Sequence, residues 1–168
     1  MKNQWMKISM LRTPRTIACA ALLLMASTAL AQVNNVPLKG AYDGHESDVV
    51  QGGSLLVDGS GGGTASHVGR FTYSWKVTVD LATGLSAGGQ FQLIAANGDV
   101  INGSFVGRGV PTDTPNVVHV VELVIISGGT GRFQGATGNF TLDRLADLTT
   151  GLTSGSLKGT ISTPASPK

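Results

Sequence analysis

The chain has 168 residues, of which 12 are basic and 10 acidic, 24 are glycine and one is cysteine. Its formal net charge of +2 arises from Lys2, Lys7, Arg12 and Arg15, since the rest of the chain holds eight basic and ten acidic residues. No basic patch with interleaved aromatic residues occurs, so we expect no nucleic-acid partner. Because Cys19 is the only cysteine, the chain beyond it can form no internal disulfide, thiolate metal site or cysteine nucleophile.

The first 31 residues have the pattern of a secretory signal peptide. A basic front precedes a mostly apolar run at 17–30, and Ala29-Leu30-Ala31 places small residues just before a cleavage site. The apolar run is too short to span a bilayer comfortably. We therefore predict cleavage after Ala31, export to the periplasm or out of the cell, no stable membrane span, and a single domain over residues 32–168.

Period-2 alternation of apolar and polar residues predicts a series of β-strands in the exported part. The clearest is 71–80, FTYSWKVTVD, where Phe71, Tyr73 and Trp75 share one face and polar residues the other. The full set of predicted strands is 38–50, 54–58, 71–80, 85–96, 99–108, 117–126, 137–147 and 152–161.

The connections between these strands are short. The GSGGG run at 59–63 predicts the most flexible loop, and Asn97-Gly98 predicts a type I′ hairpin turn. The segment DLATGLSAG from Asp80 is echoed by DLTTGLTSG from Asp147, which indicates a hairpin turn used twice.

Eight antiparallel strands without a helical layer favour an all-β, closed up-and-down barrel. Closure removes the exposed strand edges that an open sheet would have to protect. An eight-stranded barrel has an interior just wide enough for side chains or for one small ligand. A two-sheet sandwich is the alternative architecture.

The segment 125–142, IISGGTGRFQGATGNFTL, carries the most specific motif. Glycines at 128, 129, 131, 135 and 138, interspersed with Phe133 and Phe140, mark backbone that needs positive φ or close approach. A strand that runs into GG[ST]G-x-F-x-G-x-x-G and then into another strand resembles the late-strand signature of the allene oxide cyclase and dirigent superfamily. The resemblance covers roughly 63–161 and is greatest to bacterial secreted proteins with an allene oxide cyclase-like barrel.

This resemblance implies a calycin-like, eight-stranded barrel with a mainly apolar cavity, often in dimers or trimers. Plant members cyclise an unsaturated fatty-acid epoxide or steer phenoxy-radical coupling, without a metal or an organic cofactor. The polar pocket residues of those proteins have no matching local motif in this chain, so the resemblance assigns no catalytic residue. It does imply a homo-oligomer as a partner.

Glu122 is the best candidate for a catalytic or ligand-binding residue. It shares its strand face with Val120 and Val124, where a carboxylate must be paired, hydrogen-bonded or raised in pKa. The functional interpretation is a cavity acid that orients or protonates an apolar ligand. The structural alternatives are an ion pair with Arg144 or Arg70, or an outward-facing side chain.

His67, Tyr73, Trp75 and Arg144 complete the predicted ligand-binding set. Tyr73 and Trp75 belong to the aromatic face of 71–80, and His67 shares that face if the strand begins so early. Each has a structural alternative, which is core packing for the aromatic pair and backbone hydrogen bonding for His67. The three histidines lack metal-ligand spacing, so we expect neither a metal nor a cofactor.

The sequence therefore leaves three functions open. The first is an exported barrel that binds a small apolar molecule, lipid-like or phenolic. The second is a cofactor-free cyclase or isomerase with Glu122 as the acid or orienting group. The third is a filled barrel that acts as a structural or interaction module.

Overall fold

A computed structural model describes residues 33–164, with side chains between 35 and 162. Eight antiparallel strands follow one another, each hydrogen-bonded to the next, and the last pairs with the first. The strands are β1 Val33–Gln51, β2 Ser54–Ala65, β3 Gly69–Asp80, β4 Leu85–Ala95, β5 Val100–Pro111, β6 Val117–Gly129, β7 Thr137–Asp147 and β8 Leu152–Pro164. The predicted eight-stranded antiparallel up-and-down barrel is confirmed, and the sandwich is wrong. The predicted signal peptide lies outside the described residues.

Alternation along each strand separates the barrel interior from its outer surface, because successive side chains point to opposite faces. In β3, Phe71, Trp75 and Val77 are buried, whereas the residues between them are exposed or half-buried. The same alternation continues around the closed sheet. The buried inward-facing side chains form one hydrophobic core inside the barrel.

Inward-facing glycines make room for the aromatic side chains of this core. The register of β2 with β3 pairs Gly59 with Trp75 and Gly61 with Tyr73. A Cβ on Gly59 would overlap the Trp75 indole. The aromatic rings thus fill the space that glycine leaves, a known way to stabilise glycine in a strand. The predicted flexible loop at 59–63 is therefore wrong, since these residues lie inside β2.

One end of the barrel, the closed end, carries the connections 66–68, 96–99 and 130–136 and is filled by apolar side chains. Val68, Phe133 and Ala136 are buried there, and Phe133 belongs to a 3-10 turn at Gly131–Phe133. Arg132 lies in the same turn and donates from Nη2 to the carbonyl oxygen of Val68 at 2.7 Å. The glycine motif of the sequence thus places the connection 130–136, the plug, over the closed end, where Arg132 joins it to the connection 66–68.

The Asn97-Gly98 turn also lies at the closed end, but it is not of type I′. Only Gly98 has a positive φ, of 87°, whereas a type I′ turn needs positive φ at both central residues. The Asn97 side chain instead contacts Asp99, donating from Nδ2 to Oδ2 at 2.7 Å. The hairpin itself is present as predicted.

The opposite end, the open end, carries the connections 52–53, 81–84, 112–116 and 148–151. The repeated DLxTG segments form matching turns there: Gly84 N–H donates to Asp80 at 2.8 Å and Gly151 N–H donates to Asp147 at 2.7 Å, each to the carbonyl oxygen. Backbone donors from Thr83 and Thr149 hold the pKa of the two aspartates below the usual range. The predicted reuse of one turn is confirmed.

No helix within residues 33–164 is both long and apolar enough to cross a membrane.

Candidate functional site

A buried ion-pair cluster of Glu46, Glu122 and Arg144 lies inside the barrel. Arg144 on β7 donates from Nη1 to Oε2 of Glu46 on β1 at 2.8 Å. It donates to Glu122 on β6 from Nε to Oε2 at 3.3 Å and from Nη2 to Oε1 at 3.5 Å. Nη1 also donates to Oγ1 of Thr153 on β8 at 3.0 Å. None of the three charged side chains is more than 7% exposed.

Strand register and glycine provide the space for this cluster. Glu122 is opposite Gly107 on β5, and Arg144 is opposite Gly155 on β8. A Cβ on Gly107 would lie 2.6 Å from Cγ of Glu122, and one on Gly155 would lie 2.6 Å from Cβ of Arg144. A Cβ at either position would overlap both the charged side chain and the adjacent backbone, because real Cβ atoms do not approach so closely. The glycines therefore permit large polar groups at these inward positions.

The electrostatics of the cluster are dominated by burial. Burial raises the pKa of Glu46 above its usual value, and the charge of Arg144 reverses this only in part. Burial acts to lower the pKa of Arg144, but the carboxylates of Glu122 and Glu46 outweigh it and hold that pKa above its usual value. Arg144 is therefore charged, and it faces two carboxylates. With both ionised, the cluster carries one excess negative charge.

A cavity of about 430 Å³ at the open end reaches this cluster. Its size lies within the ~300–1,000 Å³ typical of small-molecule sites. Glu46, Glu122 and Arg144 lie at its inner end, and Asp80 and Arg108 are the other charged residues that line it. The remaining wall is largely aliphatic and includes Leu55, Val57, Val77, Val79, Leu81, Val110, Val118, Val120, Ala146 and Leu148.

A second, smaller space of about 50 Å³, the inner chamber, lies on the other side of Arg144 and Glu122, which line both spaces. Aromatic rings enclose it: Tyr73 stacks on Trp75 with ring centroids 5.1 Å apart, and Tyr42 meets Tyr73 edge-on at 5.3 Å. The two tyrosine hydroxyls and the Trp75 Nε1 are buried without a hydrogen-bond partner among the described residues. The chamber has room for one or two water-sized groups, at ~30 Å³ each.

The structure brings together four of the five residues predicted to bind ligand. Tyr73, Trp75, Glu122 and Arg144 all line the inner chamber, and the last two also line the open-end cavity. His67 is not among them: it is exposed in the connection between β2 and β3, with φ of 63°. The prediction that His67 shares the face of Tyr73 and Trp75 is wrong. Strand β3 begins at Gly69, so its alternation does not extend back to His67.

Glu46, Thr153 and Tyr42 belong to the site and were missed by the sequence reading. Glu46 lies on the face of β1 that also holds Leu38 and Tyr42, and a carboxylate on an apolar face is the signal that identified Glu122. In β1 that signal is weakened because Gly40 and Gly44 occupy the other inward positions. Thr153 offers no comparable signal, since threonine is common in strands.

The two carboxylates differ in what they can do. Both oxygens of Glu122 accept hydrogen bonds from Arg144, which fixes the position of this carboxyl group and suits it to orienting a ligand. Glu46 accepts from Arg144 through Oε2 alone and has the raised pKa expected of a proton donor.

No group of His, Asp and Glu in the described part of the chain is arranged to hold a metal ion. Comparison of the chain with protein-family models, with curated proteins and with solved structures gives no match.

Proposed function

We propose that the protein binds a small apolar molecule, which enters at the open end and lies in the 430 Å³ cavity. The observation that supports this most is an aliphatic wall that ends on a buried polar cluster. Apolar walls with a few converging polar groups are typical of small-molecule sites, in which the wall supplies affinity and the polar groups set orientation. A lipid-like or phenolic ligand, with an apolar body and one polar end, matches this arrangement.

The inner chamber limits how deep such a ligand can lie. At about 50 Å³ it cannot hold the body of a lipid or phenolic compound. The ligand would therefore contact Glu122 and Arg144, the two residues common to both spaces, together with Glu46. In this proposal Tyr73 and Trp75 lie on the inner-chamber side of the cluster and do not contact the ligand. Export and membership of the allene oxide cyclase and dirigent superfamily stay predictions, and the binding proposal does not depend on them.

The first test is native mass spectrometry of the exported protein purified from its own source, followed by organic extraction. We expect a co-purifying apolar compound of defined mass, and the same spectrum counts the subunits of any homo-oligomer. A clean apo mass, combined with no binding of any apolar probe, would contradict the proposal and favour the filled-barrel module.

A matched pair of variants tests the location. Val120 lines the open-end cavity, whereas the adjacent Val121 is exposed on the outer surface. We expect Val120→Trp to fill the cavity and abolish ligand binding, and Val121→Trp to leave binding unchanged. Equal binding by both variants would place the ligand elsewhere.

The same site supports a second candidate, a cofactor-free isomerase or cyclase. The supporting observation is Glu46, a cavity-lining carboxyl with a raised pKa, which suits general acid catalysis better than the doubly hydrogen-bonded Glu122. If the extracted compound is a substrate, Glu46→Gln should abolish its turnover while the compound still binds. Full turnover by this variant would exclude Glu46 as the acid.

A further inference from the structure

We propose that the polar end of the ligand is an ammonium group, which binds the carboxylate of Glu46 at the inner end of the open-end cavity. This inference rests on the proposed function and narrows its ligand to an apolar amine. The charges that line the cavity favour a cation, because three carboxylates, of Glu46, Asp80 and Glu122, face two guanidinium groups, of Arg108 and Arg144. Asp80 and Arg108 both lie at exposed, outward positions of β3 and β5, so Glu46, Glu122 and Arg144 set the charge at the inner end, with two carboxylates to one guanidinium.

Glu46 has an acceptor atom to offer. Its side chain is 4% exposed, and only its Oε2 accepts a hydrogen bond from the described residues. Oε1 belongs to a residue that lines the cavity and has no such donor. An ammonium N–H at Oε1 would satisfy this oxygen and cancel the excess negative charge of the cluster. A buried carboxylate that is only partly paired gains more from such a contact than an exposed one.

At the inner end of the cavity an anionic ligand would find no comparable partner. A guanidinium has five N–H donors, and in Arg144 four of them already point to Glu46, Glu122 and Thr153. A ligand carboxylate would meet one remaining donor and two like charges. The fixed charges therefore favour an alkylamine over a fatty acid of the same chain length.

The aliphatic wall further narrows the class of amine. Quaternary ammonium groups are bound in proteins by cages of aromatic rings, and none of the described residues that line the open-end cavity is aromatic. A primary ammonium instead needs oxygen acceptors for its N–H groups, which Glu46 supplies. The site therefore fits an amine with N–H donors and not a trimethylammonium compound.

Four probes of one chain length test the inference: octylamine, octyltrimethylammonium, 1-octanol and octanoate. Affinities are measured by calorimetry at about pH 8, where an aliphatic amine is protonated because its pKa is ~10.4. We expect octylamine to bind at least about tenfold more tightly than octanoate and more tightly than the trimethylammonium compound. Glu46→Gln should remove this preference, so that octylamine binds no more tightly than octanoate.

Asp58→Asn is the matched control, because it also replaces a carboxylate by an amide. Asp58 is exposed and pairs with Lys76 at 2.7 Å on the outer surface, so its loss changes net charge without touching the cavity. This variant should keep the full preference for octylamine, which separates recognition at Glu46 from general attraction to an acidic protein.

The outcomes separate the two proposals. If none of the four probes binds, the proposed function fails, and the inference fails with it. If 1-octanol binds and octanoate matches octylamine, apolar binding stands and the ammonium site is overturned. The same conclusion follows if Glu46→Gln keeps the preference. Should this variant fail to fold, the ranking of the probes on the unaltered protein decides the question.

Discussion

The two ends of the barrel are built on different physical principles. At the closed end, Phe133, Ala136 and Ile161 are fully buried, and apolar contact with backbone hydrogen bonding fills the space. At the open end the interior holds the cluster of Glu46, Glu122 and Arg144, and a cavity of about 430 Å³ extends to the surface. An apolar plug excludes ligand by its close packing, whereas a buried charged cluster stays stable only while each group keeps its partners.

The two ends therefore suit different roles, the closed end stability and the open end ligand recognition. Burial of large apolar side chains at the closed end is favourable without further conditions. Burial of Arg144 with two carboxylates is favourable only through its hydrogen bonds, and such clusters are often no more stable than apolar residues of the same volume. Polar groups that contribute little net stability but line a cavity are what a binding site requires, which is why we place function at the open end.

Arg144→Leu is expected to cause the largest loss of stability at the open end. It leaves Glu46 and Glu122 buried without a cation, and loss of one partner from a buried ion pair costs about 3–5 kcal/mol. Urea unfolding should show a decrease of this size in the free energy of unfolding at pH 7. The control is Arg70→Leu, at an exposed arginine, with an expected change within about 0.5 kcal/mol. Equal losses in the two variants would mean that the cluster is not an electrostatic unit.

Phe133→Ala tests the contribution of apolar packing at the closed end. Phe133 is fully buried in the plug, and truncation of a buried phenylalanine costs about 3–5 kcal/mol. We expect about 3 kcal/mol, at the lower end, because the plug is a surface connection that can partly collapse into the space left. The affinity for an apolar probe should stay within about twofold, since the proposed binding site is at the other end. Loss of binding in a still-folded variant would contradict the separation of the two ends.

Gly59→Ala tests the contact between the glycines and the aromatic rings that lie between the two ends. The new Cβ would overlap the Trp75 indole, and overpacking of this kind costs about 1–3 kcal/mol. Gly62→Ala, in the same strand, would place its Cβ 3.3 Å from the carbonyl oxygen of Phe71, a tight contact but not an overlap, and should cost clearly less than Gly59→Ala. Thermal unfolding of the pair measures the difference, and identical melting temperatures would show that the indole is not held against Gly59.

The smallest expected effect is on the pH dependence of stability. Burial raises the pKa of Glu46 in the folded protein above 4.5, so the unfolded chain loses this proton first as the pH rises. The contribution of Glu46 to stability therefore falls as the pH rises from 4.5 through the raised pKa. Glu46→Gln removes that fall, so the stability of the unaltered protein relative to the variant should decrease across this window. Parallel pH profiles from urea unfolding would show that Glu46 titrates alike in both states.

The sequence predicted the strands well because alternation is a local property. The predicted bounds of β3 and β7 agree with the structure to within two residues, and β7 agrees at both ends. The error at 59–63 has a physical cause: glycine-rich sequence is flexible by itself, and only the rings of β3 across the sheet hold it in a strand.

The candidate site was predicted in part for a similar reason. Glu122 on an apolar strand face already required a partner, and Arg144 was one of two arginines considered. Arg70 could be excluded only by the register, which leaves it exposed near the closed end. His67 was misplaced because the left-handed turn that precedes β3 is not visible in the alternation.

The sequence by itself determined the all-β class, the succession of strands, the paired turns at Asp80 and Asp147, and the shared strand face of Glu122, Val120 and Val124. These depend on interactions between residues close in the chain. Tertiary structure alone decided which end is plugged and that Glu46 shares Arg144, a residue 98 positions away. Contacts of that kind arise only when β8 pairs with β1 and closure sets the register of every strand, because a period of two specifies the face of a side chain but not its neighbours across the barrel.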